Sequence, residues 1–84
     1  MFSVYMVRCA DGTLYTGFAR DPAARVSVHN TGKGAKYTRS RLPVTLVYTE
    51  PCESRSAALK RECQIKPWSR MKKEALIAGL AGSG

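Results

Sequence analysis

The chain has 84 residues, enough for one small unit, and its 14 Lys and Arg against 6 Asp and Glu leave a formal charge of +8. That excess favours a polyanionic partner, whether DNA, RNA or an anionic membrane surface. Three separated cysteines (Cys9, Cys52, Cys63), a single histidine and the lack of a long apolar run argue against a disulfide framework, a structural zinc site, a secretory leader and a membrane span, and set a reducing cytoplasm as the expected location.

Residues 2–9 and 13–19 are rich in Val, Tyr, Thr and Phe and read as two strands joined through Ala10-Asp11-Gly12. A two-residue turn would place Tyr5 and Tyr15 on opposite faces. A three-residue loop with Gly12 left-handed would pair Cys9 with Thr13, set Tyr5 opposite Gly17 and Tyr15 opposite Val7, and bring all four to one face. Glycine suits the third position, so the three-residue loop is expected. Asp21-Pro22 is an N-cap followed by proline at the first helical position, and the helix should run from Pro22 to His29 and stop near Asn30-Thr31-Gly32. A basic, Gly-containing loop follows from Lys33 to Arg41. Pro43 opens a third strand, Val44 to Tyr48. Ser54 caps a second helix over Arg55–Lys66, which Pro67 ends. Ser69 caps a third helix from Arg70 to about Ala78. The expected fold is α+β, a small sheet with helices in the order β-β-α-β-α-α. One domain over residues 1–80 and a flexible tail over 81–84 complete the expectation.

Glu62 is the most informative side chain. Ala58, Leu59, Cys63 and Ile65 are the apolar positions of its helix, and Glu62 falls three residues after Leu59 and three before Ile65. A carboxylate on a packed face needs a partner or a metal ion. A neighbouring arginine is the plainer explanation, and the commoner one. Arg25 and His29 are four apart on the first helix and share a face that suits a phosphate, or else form an exposed basic edge. Tyr5 and Tyr15 could simply fill the core with their hydroxyls at its rim, and Gly17 opposite Tyr5 leaves room for a ligand. The loop residues Lys33, Lys36, Tyr37, Arg39 and Arg41 could follow a nucleic-acid backbone, with Tyr37 packing or stacking, or could be a solvated charged loop. Its spacing is not that of a phosphate-binding Walker loop. Trp68 reads as core.

Taken in order, the pieces resemble the GIY-YIG family. Tyr5-Met6-Val7 stands where the GIY element would, and Tyr15-Thr16-Gly17 where YIG would. Arg25 to Asn30, Gly32 to Arg39, Pro43 to Tyr48 and Ala57 to Glu62 follow, so the likeness spans residues 3–76. The whole looks like the small stand-alone bacterial GIY-YIG proteins related to structure-selective and excision-repair nucleases. Of the first motif only the tyrosine carries over. Phe18-Ala19-Arg20-Asp21 is bulkier and more basic than the pattern, and Pro67-Trp68 replaces a Lys-rich continuation.

The resemblance implies a three-stranded antiparallel sheet flanked by helices and one divalent cation, magnesium or manganese, held by Glu62. It also implies that Tyr5, Tyr15, Arg25 and His29 surround the scissile phosphate, with either Tyr5 or His29 as the general base. The expected activity is metal-dependent endonucleolytic hydrolysis of nucleic acid, DNA in preference to RNA, recognised by shape more than by sequence, in a DNA-repair setting. No membrane partner is expected, while a partner protein or a homodimer could supply targeting. The competing readings are a catalytically silent nucleic-acid-binding module of the same fold and a basic structural protein.

Overall fold

A computed structural model of the chain describes residues 1–79, so the expectation of a flexible 81–84 tail falls outside the described residues. Strands β1 (Phe2–Arg8) and β2 (Leu14–Ala19) form the hairpin, and helix α1 (Pro22–Asn30) follows. A one-turn helix α2 (Lys36–Arg39) precedes strand β3 (Thr45–Cys52), and helices α3 (Arg55–Ile65) and α4 (Arg70–Ile77) close the described chain. The sheet is antiparallel, three-stranded, and ordered β2-β1-β3. The fold is therefore α+β, as the sequence patterning requires.

The three-residue loop sets the hairpin. Cys9 N–H donates to Thr13 O at 2.8 Å, Gly12 N–H donates to Cys9 O at 2.9 Å, and Gly12 has φ +85°. Tyr5 consequently pairs with Gly17 and Val7 with Tyr15. The pleat then divides the core in two. Val4 and Met6 pack with Ala58, Ile65 and Leu76 of α3 and α4. Tyr5, Val7, Cys9, Ala19 and Val44 form the other layer, with Val26 of α1 against them.

Caps hold the helices as expected. The carboxylate of Asp21 accepts from Ala24 N–H, and the hydroxyls of Ser54 and Ser69 accept from Ala57 and Lys72 N–H. Asn30 ties the end of α1 to the entry of β3. Its amide donates to Val44 O at 3.0 Å and accepts from Val44 N–H at 2.7 Å. Arg8 grips Glu74 with two 2.7 Å bonds and so fastens α4 to β1.

Four expectations need correction. The Lys33–Arg41 segment is not all loop, because Ala35 O accepts from both Thr38 and Arg39 N–H and closes α2. β3 runs on to Cys52, and Pro51 is tolerated because β3 is an outer strand. On α3 the buried positions are Ala58 and Ile65, whereas Leu59 is 43% exposed and Cys63 is exposed. The inward stripe is therefore Ala58, Glu62 and Ile65, at helical spacings of four and three. Trp68 is half-buried at the edge of the core, with Lys72 Nζ 4.2 Å from its ring centroid.

Candidate active site

The site forms at the free edge of β2, where α1 on one sheet face and α3 on the other come together. Tyr5, Tyr15, Gly17, Phe18, Arg25, His29 and Glu62 line one pocket of about 310 Å³ with Lys33, Gly34 and Ala35. The five residues nominated for catalysis and metal binding thus meet, from β1, β2, α1 and α3. Of the nominated basic loop, Lys33 reaches the pocket wall and Tyr37 touches it through Tyr15. Lys36, Arg39 and Arg41 do not line it.

Tyr5 is 2% exposed and crosses the sheet toward α1. A Cβ on Gly17 would stand 2.7 Å from the Tyr5 hydroxyl oxygen and 2.9 Å from Cζ. The space that Gly17 opens is thus occupied by Tyr5 itself, rather than left for a ligand. The Tyr5 hydroxyl lies 2.9 Å from His29 Nε2. On the other side of the imidazole, Nδ1 lies 2.8 Å from Thr38 Oγ1, and the Thr38 hydroxyl donates to Ala35 O at 2.9 Å. A hydroxyl has one proton. With the Thr38 proton spent on Ala35 O, Thr38 Oγ1 accepts from His29 Nδ1–H at 2.8 Å, the shorter of the two contacts at that nitrogen; Ala35 N–H faces Nδ1 at 3.4 Å and is the weaker competitor. His29 Nε2 is then the acceptor and Tyr5 O–H the donor.

His29 is 2% exposed, not an exposed basic edge. Burial, with Arg25 nearby, lowers its pKa below the ordinary 6.5, so the ring is neutral at neutral pH. Burial also raises the Tyr5 hydroxyl, with Tyr15 and Glu62 adding to the effect, to about 12. Arg25 pulls it down, as the sequence suggests, but the loss of solvent outweighs that pull. Tyr5 is accordingly a protonated phenol held against a neutral imidazole.

The surrounding groups complete the wall. Tyr15 sets its ring edge-on to His29, with centroids 5.5 Å apart, and stacks on Tyr37 at 5.9 Å. The Arg41 guanidinium lies over the Tyr37 ring, 4.0 Å from its centroid, and donates to Tyr37 O and Asp11. Tyr37 and Arg41 are therefore engaged in bracing the loop. Arg25 is exposed, and among the described residues it forms no ion pair. Gly34 lies so close to the imidazole that a Cβ there would overlap His29 Nδ1.

The Glu62 side chain is 12% exposed, and its ion-pair contact is Lys66 Nζ at 3.9 Å, too long for a hydrogen bond. A largely buried carboxylate lining the pocket, with no hydrogen-bond donor to it among the described residues, suits a hard cation. Among the described residues no group of three or more His, Cys, Asp or Glu could form a cage. The donor set therefore fits an ion that keeps most of its water and takes further oxygens from a phosphate, as magnesium does.

Thr38 and Asn30 are the functional neighbours that sequence reasoning passed over. Thr38 is fully buried although it stands among charged residues in a stretch that reads as a basic surface loop. Its only sequence signal is its place within the Gly32–Arg39 stretch of the motif series.

Comparison with known proteins gives a consistent result. A family profile described as the GIY-YIG catalytic domain matches residues 1–75. A UPF0213 protein of Staphylococcus aureus is 60% identical over 74 residues, covering 88% of this chain and 90% of the relative. The solution NMR structure of the UPF0213 protein BH0048 from Bacillus halodurans superposes with a TM-score of 0.60 at 43% identity, covering 98% of this chain and 88% of that one. That of EF2693 from E. faecalis also scores 0.60, at 39% identity, over 92% of this chain and 82% of its own length.

Proposed function

Because this chain belongs to the GIY-YIG catalytic-domain family, we propose that it is a divalent-metal-dependent endonuclease that hydrolyses phosphodiester bonds in DNA, recognised by shape more than by base sequence. The observation that carries this reading is the convergence of Tyr5, Tyr15, Arg25, His29 and Glu62 on one pocket.

Each residue then has a physical role. Arg25 offers a planar fork of donors to the phosphate oxygens and steadies the charge that grows on them in the transition state. Tyr15 positions the phosphate or the attacking water, and Lys33 adds positive charge at the pocket mouth. Tyr5 and His29 work as a pair. Tyr5 Oη takes a proton from the attacking water while its own proton passes to His29 Nε2, 2.9 Å away. The relay matches the perturbed environments. A phenol near 12 is a poor base unaided, whereas an imidazole kept neutral is ready to receive. Glu62 would hold magnesium or manganese, which when bound supplies a Lewis acid for the phosphate and the leaving oxygen. A cytoplasmic protein acting on branched or damaged DNA is the setting this reading implies, with targeting from a partner protein or a second copy.

The test is a cleavage assay on single-stranded, duplex, flap and branched DNA and RNA, with magnesium, manganese or chelator. Wild type should cut with metal only. Glu62→Gln should lose at least about a hundredfold of the rate, as expected when a charge stabiliser is removed from a reacting phosphate, with an unchanged melting curve. Full-rate cutting by Glu62→Gln would sink the metal assignment. Metal-independent binding without cutting on every substrate would favour the silent binding module.

A further inference from the structure

A second groove, of about 570 Å³, adjoins the active site and shares Phe18 and Arg25 with it. Its floor and rim carry Phe2, Phe18, Arg20, Val28 and Arg55. Phe18 and Arg20 belong to the segment that departs from the family pattern, so the motif residues give them no role. The two phenylalanine rings lie 6.2 Å apart at 60°. The Arg20 guanidinium sits 5.2 Å from the Phe2 centroid, and that of Arg55 sits 5.6 Å from the Phe18 centroid. Both arginines are exposed, and among the described residues neither is in an ion pair. Val28, on the α1 wall, is 42% exposed. The acidic member of the lining, Asp21, is occupied in capping α1.

We infer that this groove binds an unpaired stretch of the nucleic acid flanking the scissile phosphate, with bases against Phe2 and Phe18 and the backbone along Arg20, Arg25 and Arg55. The inference rests on the nuclease reading only for the phosphate's location. Three arginines against the single carboxylate of Asp21, which faces the N-terminus of α1, suit a polyanion. An apolar aromatic floor adds nothing to a duplex, whose base faces are already stacked, but it is what an exposed base lacks. Continuity through Phe18 and Arg25 lets one strand run from the groove into the pocket. The substrate class is therefore a single strand, or a junction that presents one.

The experiment is a titration of the 15N-labelled full chain, in chelator, with oligothymidylate or oligouridylate of about eight nucleotides, a length within one small site, and with a blunt duplex. Amide shifts at Phe2, Phe18, Ala24 and Val28 are expected with a single strand of either sugar, and not with the duplex. Shifts confined to residues 33–41, or equal groove shifts with the duplex, overturn the inference. Phe18→Leu keeps apolar volume and removes the stacking face. It should weaken single-strand binding about tenfold and leave duplex binding unchanged. In parallel, Arg20→Gln/Arg55→Gln should reduce the single-strand salt slope by about 1.4; an unaltered slope counts against the backbone path. Because chelator prevents cutting, the two readings fail separately. A filled groove in a protein that never cuts overturns the nuclease and keeps the groove. A cutting enzyme whose groove stays silent does the reverse.

Discussion

At the scale of single residues, the site depends on where one proton sits. Thr38 satisfies the Ala35 carbonyl with its own proton, which leaves it an acceptor for His29 Nδ1–H and leaves Nε2 open to Tyr5. Thr38→Val keeps the shape but removes that acceptor. The turnover rate should fall at least about tenfold, less than the roughly hundredfold or more that loss of the general base itself would cost, with little change in KM. Steady-state kinetics on a flap substrate would check the split, and a rise in KM alone would make Thr38 merely structural. Rescue by Thr38→Ser supports the proton-setting role. The pH profile follows from the same pair. Protonated His29 cannot receive from Tyr5, so the rate should rise with pH along an acid limb centred below 6.5 and level off above it. Tyr5, raised to about 12, should produce no second inflection between neutrality and pH 10. A single-turnover pH series measures both limbs, and an acid limb centred above 6.5 would contradict the assignment.

At the scale of elements, two glycines of the β1–β2 hairpin do different work. Gly12 has φ +85°, a backbone that suits glycine, and a Cβ there meets Arg70 only at 3.6 Å. Gly12→Ala should therefore cost stability, about 1–2 kcal/mol from the left-handed conformation, while the folded fraction cuts normally. Gly17 has ordinary backbone but lies beneath Tyr5. A Cβ at 2.7 Å from the phenol oxygen must push the ring off His29. Gly17→Ala should lose activity out of proportion to its loss of stability. Denaturant melts paired with cleavage rates separate the two, and equal behaviour of both variants would refute the contrast. The same hairpin shows why the pairing of Tyr5 with Gly17 was legible. Side-chain alternation allows only two outcomes, and Gly12 in the third loop position selects one. α2 was not legible, because a single turn is too short for any periodicity to appear. The α3 stripe was only half legible. Leu59 and Cys63 looked inward by composition, but helical geometry places Ala58, Glu62 and Ile65 against the sheet.

At the scale of the whole molecule, the charge of +8 should make nucleic-acid affinity fall steeply with salt. If Arg20, Arg25, Lys33 and Arg55 all meet phosphates of a single strand, the slope of log K against log salt should be about −3, from ~0.7 per contact. Fluorescence anisotropy in chelator over a salt series tests this. A slope near zero would mean that the charge is not used for binding. Metal should bind weakly to the free protein and more tightly with substrate present, since Glu62 is one carboxylate in a polar pocket and phosphate oxygens must supply further ligands. Isothermal titration with manganese, with and without an oligonucleotide on Glu62-intact protein under non-cutting conditions, would show the difference.

The sequence by itself determined the order of the principal elements, the hairpin register, the helix caps and the family's motif residues, because caps, turn chemistry and alternation act over a few neighbouring positions. Only the tertiary structure decided how those residues work. That Gly17 yields its space to Tyr5, that a buried Thr38 sets the His29 tautomer, and that Arg41 braces Tyr37 all depend on atoms from distant segments meeting. The raised Tyr5 and lowered His29 have the same origin. Burial is a property of the assembled layers around the β2 edge; at Tyr5 solvent loss there outweighs the pull of Arg25, and at His29 it acts together with Arg25.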